Sequence, residues 1–531
     1  MLIVHSTLLI ALLSCGRNTS SDENLKIFKY NESAGILTLD PIYAKDLPHI
    51  WACNQIFNGL VAFDDEMNVV PAIAKSWNIS DDGMAYTFVL RDDVCFHEDE
   101  CFEKTRKVVA QDFVYSFNRV LDRKLNSSGR WIFSNVYAFT AINDTVLEIK
   151  LTQPFPAFLG ILSMTYASVV PQEAVEYYGT EFGRHPVGTG PFKYQYWKEG
   201  VKLVFRKNTN YFEKIGEERL PYLDAVAISF LIDKQVAFME FVKGKFHFMS
   251  GIDARYKDEL LTRDGQLRDE YQDEIYLIRE PYLNTEYLAF FLGDDDTLGK
   301  DRSLALRQAV SYSIDREKML RYLRNGIGVP GNDGIIPSGL PGYSVEKQNL
   351  ESIGYPYNPK KAEQLLKDNA LVGYELKLYT TQDYIDIAKF VQSALTEVGL
   401  NCKVEEMMPA ALREKRANGN LPFFRSSWVA DYPDAENYLS LFTTGNFTPQ
   451  GPNYTHYSNE KFDELYQKSL TCNDIQERVK IYHEMDSLMM TEAPVVILFY
   501  DEVLRFVNKN VEGLGSNPTN MLDLKKVKIN S

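Results

Sequence analysis

At 531 residues the chain exceeds the length at which one hydrophobic core stops growing, so a single compact domain is excluded and two or three lobes are expected. Hydrophobic residues make up 45% and charged residues 24% of it, which excludes a disordered chain. With 57 basic against 73 acidic residues the net charge is -16, a balance that opposes a phosphate backbone and excludes nucleic acid as a partner.

Met1 to Ser14 is almost wholly apolar. It is too short for a hydrocarbon core, which takes about 20 helical residues, and it suits a signal peptide over residues 1–14. Leu12, Leu13, Ser14 and Cys15 resemble a lipobox, in which the Cys15 thiol accepts a diacylglycerol and begins the mature chain. A non-lipidated signal peptide is the alternative, because no Lys or Arg precedes the apolar run. The polar stretch after Cys15 reads as a flexible tether over residues 15–24.

Leu25 to Tyr30 alternates apolar and charged residues, as a half-buried strand does. Asn78 to Gly83 is a turn cluster, and Ala85 to Leu90 beyond it has strand composition, so a hairpin-like arrangement is expected. Cys95 and Cys101 flank an acidic tip that a disulfide would close as a loop. A metal site on His97 and these cysteines lacks a second ligand pair, so no metal is expected. Cys53, Cys402 and Cys472 are expected as buried thiols. From Ala110 to Leu121, Phe113, Phe117 and Val120 recur at helical spacing and predict an amphipathic helix.

Gly188-Thr189-Gly190-Pro191-Phe192 is a punctuated turn that marks a lobe boundary, and a second boundary falls near Glu280-Pro281. Tyr287 to Leu292 reads as a buried strand. Helices are expected over Ser303 to Tyr322, from Asn358-Pro359 through Leu366, and over Ile385 to Val398. Strand-like Leu376 to Tyr379 and Cys402 to Val404 bracket the last of these, a βαβ pattern that favours an α/β lobe with a mainly parallel sheet.

No nucleophile elbow, P-loop, H-E-x-x-H helix or dinucleotide fingerprint is present, and the seven histidines never fall at ligand spacing. This favours a binding protein over an enzyme, with no cofactor. The most informative segment is Arg425-Ser426-Ser427-Trp428-Val429-Ala430-Asp431-Tyr432-Pro433-Asp434. An ionised Asp in a desolvated cleft suits a ligand ammonium, and an Arg suits a ligand carboxylate, because charge-assisted bonds are the strong ones. Read structurally instead, the segment is a strand entering a turn, with Asp431 as a cap and Arg425 in an ion pair.

Leu39-Asp40-Pro41, Ile56 to Val61, Pro71 to Trp77, Phe96-His97 before Asp112 to Phe117, Gly188 to Phe192, Arg307 to Arg316 and Trp428 to Glu436 follow one another in an order that resembles the family 5 solute-binding proteins, the oligopeptide- and dipeptide-binding components of bacterial ABC importers. The resemblance implies an α/β, two-lobed periplasmic-binding-protein-like clamp of class II type. Its larger lobe I would be discontinuous, over 25–50, 186–280 and 493–531, with an accessory subdomain at 51–185 and lobe II at 281–492. It also implies that Asp431 accepts the peptide α-amino group, that Ser427 and Val429 offer backbone hydrogen bonds, that Trp428 walls a side-chain pocket, and that Arg425 meets the peptide C-terminus. The implied partners of the monomer are short peptides and an ABC permease and ATPase, met on the periplasmic or cell-surface face of a bacterial membrane. Murein peptide, a nickel chelate or haem are the rival ligands on this fold, and an exported hydrolase or a signalling lipoprotein are the rivals of other classes. Ser427 stands where many relatives carry Gly, and the Cys95 to Cys101 tip is longer than the usual turn.

Overall fold

The computed structural model describes residues 25–251, 256–293, 298–343 and 352–530. The signal peptide, Cys15 and the tether lie outside them. Among the described residues no helix is long and apolar enough to cross a membrane.

One mixed sheet of 11 strands organises the protein. From the lobe II edge its order is Asn401–Glu406, Glu375–Thr380, Phe423–Val429, Ile275–Phe290, Val495–Asn508, Phe248–Ser250, Ile27–Asn31, Ala225–Ser229, Lys202–Lys207 and Phe192–Lys198, and the eleventh strand, Val329–Pro330, pairs with Val495–Asn508 off this path. The first three strands run parallel, with the helix Ile385–Glu397 between two of them in sequence. Parallel order stops there, because Ile275–Phe290 pairs antiparallel on both sides. The mainly parallel sheet expected for this lobe is therefore a mixed one.

The two long strands connect the lobes. Ile275–Pro281 pairs with Asn508–Glu502, Thr285–Ala289 pairs with Tyr500–Val495, and the register shifts between Pro281 and Thr285. Proline lacks the ladder donor, so the break begins where the chain cannot donate. Leu283, inside the break, donates its N–H to Pro518 O at 2.9 Å and accepts from Ala430 N at 2.8 Å, which ties both lobes to the crossing point. Side chains of Val495 to Leu498 alternate between the two cores on either face of the lobe II sheet, Val495 and Ile497 on one and Val496 and Leu498 on the other. The lobe boundary expected at 493 thus falls at the register break, near Asp501.

Lobe I packs Phe28, Trp51, Phe205, Val226 and Val507 into one core, which the C-terminal residues Leu522 and Val527 complete. Trp51 and Ile56 belong to this core, so the accessory subdomain begins beyond its expected start at 51. The subdomain carries a four-stranded antiparallel sheet. There Ala74–Ile79 and Ala85–Leu90 form the expected hairpin, and the helix Ala110–Leu121 buries Phe113 and Phe117.

Two local expectations are corrected. The helix expected over Ser303 to Tyr322 is two helices, Lys300–Ser313 and Arg316–Arg324, because Asp315 leaves helical geometry and accepts from Lys318 N at 2.9 Å as an N-cap. The Cys95–Cys101 disulfide is absent, and both residues are free thiols. Backbone pairing already closes the tip. Cys95 bridges Lys107, Phe96 N donates to Arg106 O at 3.1 Å, and Cys101 N is held by Asp99 Oδ1 at 3.0 Å. Burial and Asp99 push the Cys101 thiol up to about 12, so it stays protonated. Cys53 and Cys402 are buried as expected, while Cys472 is only partly so.

Candidate functional site

The strand Phe423–Val429 pairs with Ile275–Phe290 from Phe423↔Phe290 to Val429↔Asn284. Antiparallel residues alternate in the side to which their N–H and C=O point. Ala430 N donates to Leu283 O and Pro422 O accepts from Phe291 N, so the even-numbered residues face the long strand and the odd-numbered ones face away. On that far side the strand meets Glu375–Thr380 only at Phe424↔Tyr379. The backbone groups of Ser427 and Val429 therefore point to an open sheet edge, the two positions singled out for backbone recognition.

This edge ends at a cavity of about 310 Å³ between the lobes. Ala44, Lys45 and Asp46 line it from lobe I, Tyr166 from the accessory subdomain, and Val429 to Pro433 from lobe II, with the crossing residue Tyr282 between them. Asp431 opens into this cavity. Solvent reaches it through the mouth, while the surrounding protein desolvates it and raises its carboxyl above the ordinary value. Its backbone N–H donates to Asn437 Oδ1 at 3.1 Å.

Trp428 and Arg425 are placed differently from the expectation. The Trp428 indole packs against the lobe II core and donates Nε1–H to Asn437 Oδ1 at 2.8 Å; it is not among the cavity-lining residues. The Arg425 guanidinium is engaged by Glu286, with Nε 3.0 Å and Nη2 2.5 Å from Oε2 and Nη2 2.7 Å from Oε1. It also lies 3.3 Å from the centroid of the Tyr384 ring. Burial lifts the Glu286 carboxyl above its usual range and Arg425 offsets only part of this. Arg425 thus occupies the structural ion pair of the alternative reading, and the geometry does not bring it to Asp431.

Sequence reasoning missed four residues that shape the site: Tyr282, Glu286, Glu436 and Asn437. Glu436 is buried and accepts from the hydroxyls of Tyr432 and Tyr466. Burial raises its carboxyl to about 7. The Tyr432 ring reaches across to the accessory subdomain, with centroids 6.2 Å from Trp131 and from Phe155. An acid and an amide one residue beyond the Asp-Tyr-Pro-Asp turn were the available signal, since polar residues beside a turn can cap it from within.

Among the described residues no group of three or more His, Cys, Asp or Glu is arranged to hold a metal ion. An open strand edge and a desolvated carboxylate thus meet at one interlobe cavity. Residues 68–449 match the family described as "Bacterial extracellular solute-binding proteins, family 5 Middle". The chain belongs to this family. It is a solute-binding protein, of the kind that captures a solute outside the membrane for an ABC importer. It is similar to the glutathione-binding protein GsiB of Salmonella paratyphi A, 25% identical over 91% of this chain and 90% of the relative. The dipeptide-binding protein of Escherichia coli K12 is 25% identical over 89% of each chain. The solved structure of HbpA2 from Haemophilus parasuis superposes with a TM-score of 0.84 at 21% identity, over 95% of this chain and 100% of that one.

Proposed function

We propose that this protein captures short peptides in the interlobe cavity and delivers them to an ABC permease, from the outer face of a bacterial membrane to which Cys15 anchors it. The observation that carries the reading is the open edge at Ser427 and Val429 leading to Asp431. An extended peptide adds to such an edge by main-chain hydrogen bonds, which hold any sequence, and the carboxylate takes its terminal ammonium. At about 3.3 Å per residue, Ser427 to Asp431 spans about 13 Å, enough for about four extended residues. The similarity to glutathione- and dipeptide-binding relatives supports the same ligand class. The fold serves binding, and no hydrolytic role is proposed.

Native mass spectrometry of the protein purified without denaturation, followed by sequencing of released ligand, tests the reading. A mixed population of short peptides is expected. A single non-peptide species, such as a metal chelate or haem, would overturn it.

A further inference from the structure

Two donors of the binding segment converge on one atom. Asn437, in the short helix Glu436–Leu439, is buried at 4% exposure. Its Oδ1 accepts both the Trp428 indole N–H at 2.8 Å and the Asp431 backbone N–H at 3.1 Å. Its backbone N–H donates to Asp434 O at 3.1 Å, which fixes the backbone at Asn437 to the turn that precedes it. Trp428 is the penultimate residue of the strand that carries the open edge, and Asp431 is the carboxylate just beyond that strand. Between them, Ala430 is bonded to Leu283 at the lobe crossing.

Without the Asn437 acceptor, both donors would be left unsatisfied in a partly buried turn, and the segment from Trp428 to Asp431 would lose its only shared anchor among the bonds described above. We infer that Asn437 is the positioning residue of the binding site: it sets the offset between the peptide-pairing edge and the ammonium-binding carboxylate, and through that offset the ligand geometry that both can grip at once. The inference rests on the proposed peptide site. Asn437 itself touches no ligand. A side-chain amide oxygen is suited to this task because it carries two lone pairs and no charge. A carboxylate there would serve both donors equally well, yet would set a second negative charge beside Asp431. The groups that face Asp431 from the surrounding elements are Lys45, Asp46, Tyr166, Tyr282, Tyr432 and Tyr438.

The test compares Asn437→Ala, Asn437→Asp and Asp431→Asn in the full chain. Binding of a short peptide found on the purified protein is measured by calorimetry from pH 5 to pH 9, and the near-ultraviolet signal of Trp428 is taken without ligand by difference against Trp428→Phe. Asn437→Ala is expected to lower affinity by about tenfold or more at every pH, as for two lost hydrogen bonds, and to change the Trp428 signal. Asn437→Asp is expected to keep that signal and the high-pH affinity, but to lose affinity on acidification at a higher pH than the parent, because like charge raises the Asp431 carboxyl. If Asn437→Ala does not fold, the Asn437→Asp profile alone decides. An unshifted profile in Asn437→Asp, or parental affinity in Asn437→Ala, overturns the positioning role when Asp431→Asn still weakens binding. Undiminished binding in Asp431→Asn would instead overturn the peptide site.

Discussion

Replacing Arg425 and Glu286, singly and together, separates a structural ion pair from a ligand contact. Arg425 is 14% exposed and Glu286 4%, so either charge left alone has almost no water to return to. Removing one member of such a pair costs about 3–5 kcal/mol, whereas replacing both with apolar residues of similar volume is close to neutral. Stacking on Tyr384 adds about 0.5–2 kcal/mol to the loss in any Arg425 variant. Arg425→Met and Glu286→Met should each lower stability by about 3–5 kcal/mol. The double variant should fall short of their sum by at least about 2 kcal/mol, the coupling expected for residues in one network. Urea unfolding followed by far-ultraviolet circular dichroism measures all four proteins, and peptide calorimetry on the double variant then reports whether Arg425 also serves the ligand. Additive losses in the double variant would refute the assignment of Arg425 to Glu286.

Three further outcomes follow from the same structure. Asp431→Asn should weaken peptide binding by about 2–4 kcal/mol through loss of a charged hydrogen bond, and parental affinity in calorimetry would remove Asp431 from the site. Because burial raises the Glu436 carboxyl to about 7 in the folded protein, the native state holds this proton more tightly than the unfolded chain. Its stabilising contribution, on the order of 3 kcal/mol, is therefore complete below about pH 4 and lost as pH rises through about 7. Glu436→Gln should flatten that part of the stability profile, and an identical profile in the variant would count against it. At Gly188 a β-carbon would lie 2.1 Å from the Ile56 carbonyl oxygen, so Gly188→Ala should destabilise by at least about 1–3 kcal/mol in thermal unfolding; an unchanged midpoint would show that the contact relaxes freely.

How far these features are legible in the sequence depends on how local their causes are. The helix Ala110–Leu121 emerges with the expected bounds because its apolar spacing, and Asp112 bonded back to Val109 N, are written within a dozen residues. The break at Asp315 is just as local, but apolar periodicity runs through it and masks the cap. The open edge at Ser427 follows from strand order, which no window of sequence contains. Arg425 and Glu286 lie 139 positions apart, so composition offered an unsatisfied cation where the fold had already supplied its carboxylate. Asn437 was hidden for the opposite reason: it is close in sequence, but its role appears only when the turn brings Trp428 and Asp431 to one oxygen. The disulfide expectation failed because two nearby cysteines say nothing of what each backbone already pairs with.

The position of Val495–Asn508 within the sheet governs the order in which the molecule can be made. This strand emerges near the end of synthesis, yet it lies between Ile275–Phe290 and Phe248–Ser250, and the residues after it complete the core around Phe28 and Val226. A growing chain therefore has no means of joining its two halves until its last few dozen residues are present, and its earliest strand waits for its latest to close the lobe. The junction between the two lobes is thus the last part of the fold to form.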